Sequence, residues 1–456
     1  MKLTRRQVLA GAAAGAVGAG GIYELVDRLA ASSPTRPAAG ALPEQHLLEG
    51  VRVTRSDGIE VLVPPLHHEI LTARVAPDRA DLRDAQASLV QVLDGLDRAY
   101  APSPAGLGIT LAWGLPYFRR LTPEALRRHL PHDRRAGKPV VFDTVRFPSD
   151  PPDTRLESND VAILLRSDSR EHIDDATARL RDSKLFELTS IRRGFAGGGF
   201  EGGQSLPKKL ALAAQIPGAD LIPDTSELFL GFTSTQKAGM GPGTIANLET
   251  LGYVDMRGSD YFRHGTHMHL SHIHEDIEAW YINFDFDERV ATAFRPNLDV
   301  RQDVQTVRQG PQDVSTDADV RRDYRSSGRI GHSASIQTTS RLERDVVAAD
   351  GTVYPKGTAI PVRADFNTLD NPFAWSVRPD EIGALPAAGV HFVVFNPTGD
   401  DFHRNRMAMD GVLPGGKIPF EARDRNQGFN AVLSTTHRQN FLVPPRRHRA
   451  FPLAEL

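Results

Sequence analysis

Between Glu69 and Phe195 the apolar residues change their spacing in one fixed order: strand, helix, strand, then strand, helix, strand. Glu69–Val75 (EILTARV) reads as a strand. Asp81–Ala99 reads as a helix, because Leu82, Leu89, Val92, Leu93 and Leu96 recur at helical spacing, with Asp78 or Asp81 placed to cap it. Leu107–Trp113 (LGITLAW) and Val161–Arg166 (VAILLR) read as strands, Glu171–Leu180 as a helix and Leu188–Phe195 (LTSIRRGF) as a strand. That order suits a ferredoxin-like α+β unit.

The second half repeats the theme. Thr266–Ile273 and Val390–Phe395 (VHFVVF) read as strands, and a helix begins at Phe402. Residues 296–325 are charged and poor in large apolar side chains, which predicts a surface excursion. The stretch Ser326–Phe373 holds His332 in a polar loop, a hairpin-like insert (VVAADGTVYPKGTAI) and Arg363 at the end of a β-like run. Residues 42–60 read as a polar lead-in, and 444–453 (PPRRHRAFPL) as a solvated end or a loop-packing element. The Gly-rich stretch 196–209 (AGGGFEGGQSLPKK) follows no buried parallel strand and lacks the acidic residue of a dinucleotide fingerprint, so it predicts a flexible loop. Neither GxxxxGK[ST] nor GxSxG occurs.

Lys2–Leu9 (KLTRRQVL) carries paired arginines, followed by an Ala/Gly-rich apolar run to Ile22 that is too short to span a membrane well. Ala39-Gly40-Ala41 is a small-x-small cleavage candidate. This predicts a twin-arginine (Tat) signal over 1–41, export to the periplasm or cell exterior, and no membrane span in the mature form. An uncleaved N-terminal anchor is the other reading. The chain has no cysteine, which excludes disulfides, thiolate metal sites, cysteine nucleophiles and iron–sulfur clusters. Any metal must then use histidine, carboxylate or other oxygen and nitrogen ligands. A net charge of −3 without a basic run excludes nucleic acid as an expected partner. With 456 residues there is room for more than one domain, expected at 42–225 and 226–456.

Five segments, in order, then resemble the dye-decolourising (DyP-type) haem peroxidases. They are Gly106–Phe118 (GLGITLAWGLPYF), Asp160–Leu180, Ile191–Phe195 (IRRGF), Leu230–Thr235 with Gly243–Asn247 (LGFTST…GTIAN), and Gly265–Trp280 (GTHMHLSHIHEDIEAW). The resemblance spans roughly residues 65–405. It implies two ferredoxin-like (βαββαβ) halves forming a dimeric α+β barrel-like fold, with haem b held by the second half. It also implies hydrogen peroxide and an organic reductant as reaction partners, and homo-oligomers as a common assembly.

The resemblance further implies site residues. His332, in GRIGHSASIQ, falls at the proximal haem ligand, where a neutral imidazole nitrogen binds iron. Arg363, in IPVRADF, falls at the distal arginine that steadies charge as the peroxide bond breaks. Asp400, within Thr398–Asp401, is the candidate carboxylate behind His332. Where the family's loop carries the proton-shuttling aspartate, this chain has Ser234, followed by Thr235 rather than glycine. A serine hydroxyl is a poor base near neutral pH. Peroxidase turnover, a non-catalytic haem carrier or sensor, and a non-haem metal protein therefore all stay open. The third rests on His264, His267, His269, His272 and His274. On a strand His267 and His269 share a face and could bind copper, zinc or non-haem iron, while Met268, Leu270 and His272 share the other.

Overall fold

The computed structural model describes residues 42–56, 59–78, 81–133, 135–196, 203–231, 254–255, 261–298, 314–342, 344–347, 353–354, 356–372, 385–421 and 428–456, together with Tyr23 and Val26. The first half supplies β1 (His67–Val75), α1 (Leu82–Ala99), β2 (Gly108–Trp113), β3 (Val161–Ser167), α2 (Arg170–Asp182), β4 (Phe186–Phe195) and α3 (Leu206–Ala213). Its sheet runs β4-β1-β3-β2, antiparallel throughout, the ferredoxin-like order read from the sequence.

The second half supplies β5 (Thr266–Glu275), α4 (Ile277–Asn283), α5 (Phe286–Ala293), α6 (Asp317–Ser327), α7 (His332–Ser340), β6 (Val362–Arg363), β7 (Phe366–Thr368), β8 (Gly389–Asn396), α8 (Gly399–Met409) and β9 (Leu433–Val443). Its order, β9-β5-β8-β7, repeats that of the first half. Two seams join the halves: Asn367 of β7 opposite Phe195 of β4, and Leu442 of β9 opposite Trp113 of β2. Eight strands thus close into one ring.

Closure explains the strand sequences. β3 is buried at every position because one face lines the ring and the other lies under helices. Inside, Ile70, Leu164, Met268, Leu270, Phe395 and Phe441 form an apolar core. Outside the first half, Leu82, Leu89, Leu93 and Leu96 of α1 pack with Ile173 and Leu180 of α2 over Leu111 and Ile163. Asp81 takes the N-cap position of α1 but makes no side-chain cap bond.

Three expectations change, and one is narrowed to the second of its two readings. Residues 42–50 are no loose lead-in: the Gln45 side chain bonds Leu111 from both ends of its amide and also the Pro444 carbonyl, and His46 lies 4.6 Å from the Phe395 ring. The tail is a packing element, with Phe451 fully buried against Trp113 and Tyr117. The excursion at 296–325 contains most of α6, which Thr316 caps through its side chain and Asp319. His332 lies in no loop; it heads α7. The hairpin-like insert is borne out by Val346–Val347 pairing with Val353–Tyr354.

Candidate functional site

Alternation along β5 sorts its histidines as the sequence suggests. Met268 and Leu270 join the ring's apolar interior, and His272 sits in the same file, opposite His391 of β8 and His437 of β9. His267 and His269 turn outward under α8. The His269 ring stacks on Phe402 at 3.5 Å. Its Nδ1 pairs with Asn440 Oδ1 at 2.8 Å and its Nε2 with Ser271 Oγ at 2.5 Å. Both nitrogens of His269 are therefore committed, and among the described residues no three His, Asp or Glu side chains gather as a metal site. His267, also fully buried, keeps both ring nitrogens without a hydrogen-bond partner, and the pair packs between sheet and helix.

The outer face of β8 carries a different constellation. Gly331 precedes α7 because a Cβ there would fall 2.0 Å from the Phe294 carbonyl oxygen, and Ala334 N–H donates to that same oxygen at 3.0 Å. This fixes His332 at the first turn of α7, its ring 4.7 Å from Phe429. Nδ1 of His332 is buried without a hydrogen-bond partner. Burial, then the charges of Arg363 and Arg406, push its pKa down to about 3. The positive end of α7 acts in the same direction. The side chain is thus a neutral imidazole.

Arg363 lies on β6, opposite Val394 of β8, one position out of phase with the inward Val362–Phe395 pair, so it faces outward. Its guanidinium is 3.9 Å from Asp365. Arg341, just past α7, has its pKa pushed down to about 10 by burial and by the charge of Arg363. Glu275, outward at the end of β5, is buried at 5% exposure and its Oε2 has no hydrogen-bond partner. Burial, helped by the charge of Asp365, raises its pKa to about 8. His332, Arg363, Arg341, Asp365 and Glu275 thus form one linked electrostatic neighbourhood.

Asp400 is not part of it. Its carboxylate lies 2.9 Å from Lys138 and 3.4 Å from both Arg135 and Arg404, and no hydrogen bond joins it to His332 among the described residues. The side chain at N2 of α8 is drawn to those cations rather than inward. Ser234 lies outside the described residues. The chain leading to it is held by Trp280 Nε1 on the Leu230 carbonyl and Tyr281 Oη on the Phe229 carbonyl, each at 2.8 Å. Sequence reasoning missed Arg341, Asp365 and Phe429. Asp365 was findable, since it shares the outward parity of Arg363 two residues earlier.

A neutral imidazole with no competing partner, flanked by guanidinium groups, is a donor set that fits haem: one nitrogen ligand and cations suited to propionates. Comparison with known proteins bears on the family and the fold. A family model described as "Family of unknown function (DUF7405)" matches residues 65–445. Comparison with curated proteins yields no match. Among solved structures, the chain is similar to a DyP-type peroxidase from Cellulomonas bogoriensis at 17% identity, covering 89% of this chain and 96% of that one, with a TM-score of 0.52. It is also similar to a variant of DypB from Rhodococcus jostii RHA1 in complex with heme, at 12% identity, 85% and 95% coverage and a TM-score of 0.48. The fold is that of the DyP-type peroxidases.

Proposed function

The chain belongs to the DUF7405 family, and from its fold and its His332 neighbourhood we propose an exported haem-binding protein that oxidises an organic donor with hydrogen peroxide. The observation that carries the proposal is the partner-free, neutral imidazole of His332 under the charge of Arg363. Haem, when bound, would supply the redox chemistry. His332 would hold the iron, and its buried Nδ1 has no carboxylate behind it. Arg363 would steady negative charge developing at the bound group, with Asp365 3.9 Å from its guanidinium. Arg341 adds a cation suited to a propionate. The paired arginines at the N-terminus support export to the periplasm or exterior.

The test is an absorption spectrum of protein produced with haem supply. One haem per chain, lost in His332→Ala and kept in His267→Ala, is the expected result. A Soret band that survives His332→Ala sinks the assignment. Ser234 favours a second reading, a haem carrier or sensor without efficient turnover, because losing a general acid–base costs about 10²–10⁴-fold in rate. If Ser234→Asp raises peroxide-dependent donor oxidation at unchanged haem content, the missing carboxylate was the limit. Unchanged turnover removes Ser234 as the cause.

A further inference from the structure

Two residues of the expected leader are built into the folded protein. Tyr23 and Val26 are both helical and three residues apart, so they share a helix face. They are 5% and 0% exposed. They belong to a core cluster with Phe195, Leu206, Leu210, Ile222, Phe229 and Leu369, in the groove between α3 and the meeting ends of β4 and β7. The Tyr23 hydroxyl lies 2.9 Å from Asp370 Oδ1, 3.0 Å from the Arg193 carbonyl oxygen and 3.0 Å from Thr368 Oγ1, and it accepts a hydrogen bond from Leu369 N–H at 2.9 Å. The same Asp370 carboxylate accepts from Arg193 N–H at 2.8 Å and meets His391 Nε2 at 3.2 Å.

We propose that this groove is the docking site of the chain's own N-terminal segment, and that the segment bearing Tyr23 and Val26 stays on the folded protein instead of being removed after Ala41. The seat is assembled from both halves: Arg193 lies near the end of β4, and Thr368–Asp370 run from the last residue of β7, the strand that pairs with β4. It therefore exists only once the β4–β7 seam has formed, so docking reads out a completed fold. Removal after Ala41 would leave the amide of Leu369 and the carboxylate of Asp370 without the hydroxyl, and would bare the apolar wall formed by Leu206, Leu210 and Phe229. Residues 42–50, by contrast, bond to the ring through Gln45 and need nothing upstream. The cleavage candidate thus separates two segments that the fold holds independently.

The experiment uses the full chain, expressed and exported with its own leader. The intact mass of the recovered protein is expected to include Tyr23; a mass beginning after Ala41 overturns the proposal. In parallel, Val26→Asp in the full chain is expected to lower the thermal midpoint by roughly 2–5 °C and to speed amide exchange across 206–213 and at Leu369. Should Val26→Asp fail to fold, Tyr23→Phe, which removes one hydroxyl, still reads the exchange rate of the Leu369 amide. Unchanged exchange there, with an unchanged midpoint, also overturns it. None of these readouts depends on haem.

Discussion

Glu275 sits where its carboxyl keeps a proton that the unfolded chain would release. Its pKa moves from 4.5 to about 8 on burial. Between those values the native state holds one more proton than the unfolded state, so stability falls as pH rises from 4.5 to 8 and levels off above. The full swing is on the order of 5 kcal/mol. Glu275→Gln cannot ionise, so its urea midpoint should change less with pH and exceed that of the parent at pH 8. Equal pH slopes in the two proteins would count against a buried, protonated Glu275. This residue also shows what a sequence conceals. The acid is visible in HIHED, but its neighbour Asp365 lies 90 positions later and approaches only across β8. Asp400 misleads in the opposite way: its position after Thr398 suggests an inward carboxylate, yet Lys138 and Arg135, from a distant loop, claim it.

At the scale of elements, legibility follows apolar contrast. β1, β3, β8, α1 and α2 are readable because one period dominates each of them. β9 is not, since Thr435–Asn440 (TTHRQN) places His437 and Gln439 inward and Arg438 and Asn440 outward, and several of these polar groups meet partners from elsewhere. Gln439 bonds Asn159, and Arg438 bonds Asp150. α7 is hidden for a related reason: HSASIQTTS has no apolar stripe, and its buried Thr339 is satisfied by Asn405 of α8 at 2.8 Å. What sets its start is the close approach of Gly331 to Phe294. Gly331→Ala should therefore destabilise the protein by about 1–3 kcal/mol and shift the Soret band of the haem-loaded form as His332 moves. A variant matching the parent in both respects would show that α7 tolerates displacement.

For the whole molecule, the first-half core is completed by the last residues of the chain. Phe451 is fully buried beside Trp113, 5.0 Å from its ring, and stacks parallel to Phe186. It holds φ 40, and Leu453 holds φ 68, unusual values for residues with side chains. Trp113 Nε1 donates to the Arg449 carbonyl and Tyr117 Oη to the Pro452 carbonyl, each at 2.9 Å. Phe451→Ala should cost about 3–5 kcal/mol in equilibrium unfolding, a loss that a merely solvated tail would not produce. The pairing of Trp113 with Leu442 joins residues 329 positions apart. Bringing them together means closing a very long loop, and contacts of that separation slow folding. Until β9 arrives, β2 and β5 each present an open strand edge to any neighbouring chain. A molecule whose finished ring has no free edge thus passes through a late stage with two of them. Its yield on refolding should then fall steeply as protein concentration rises.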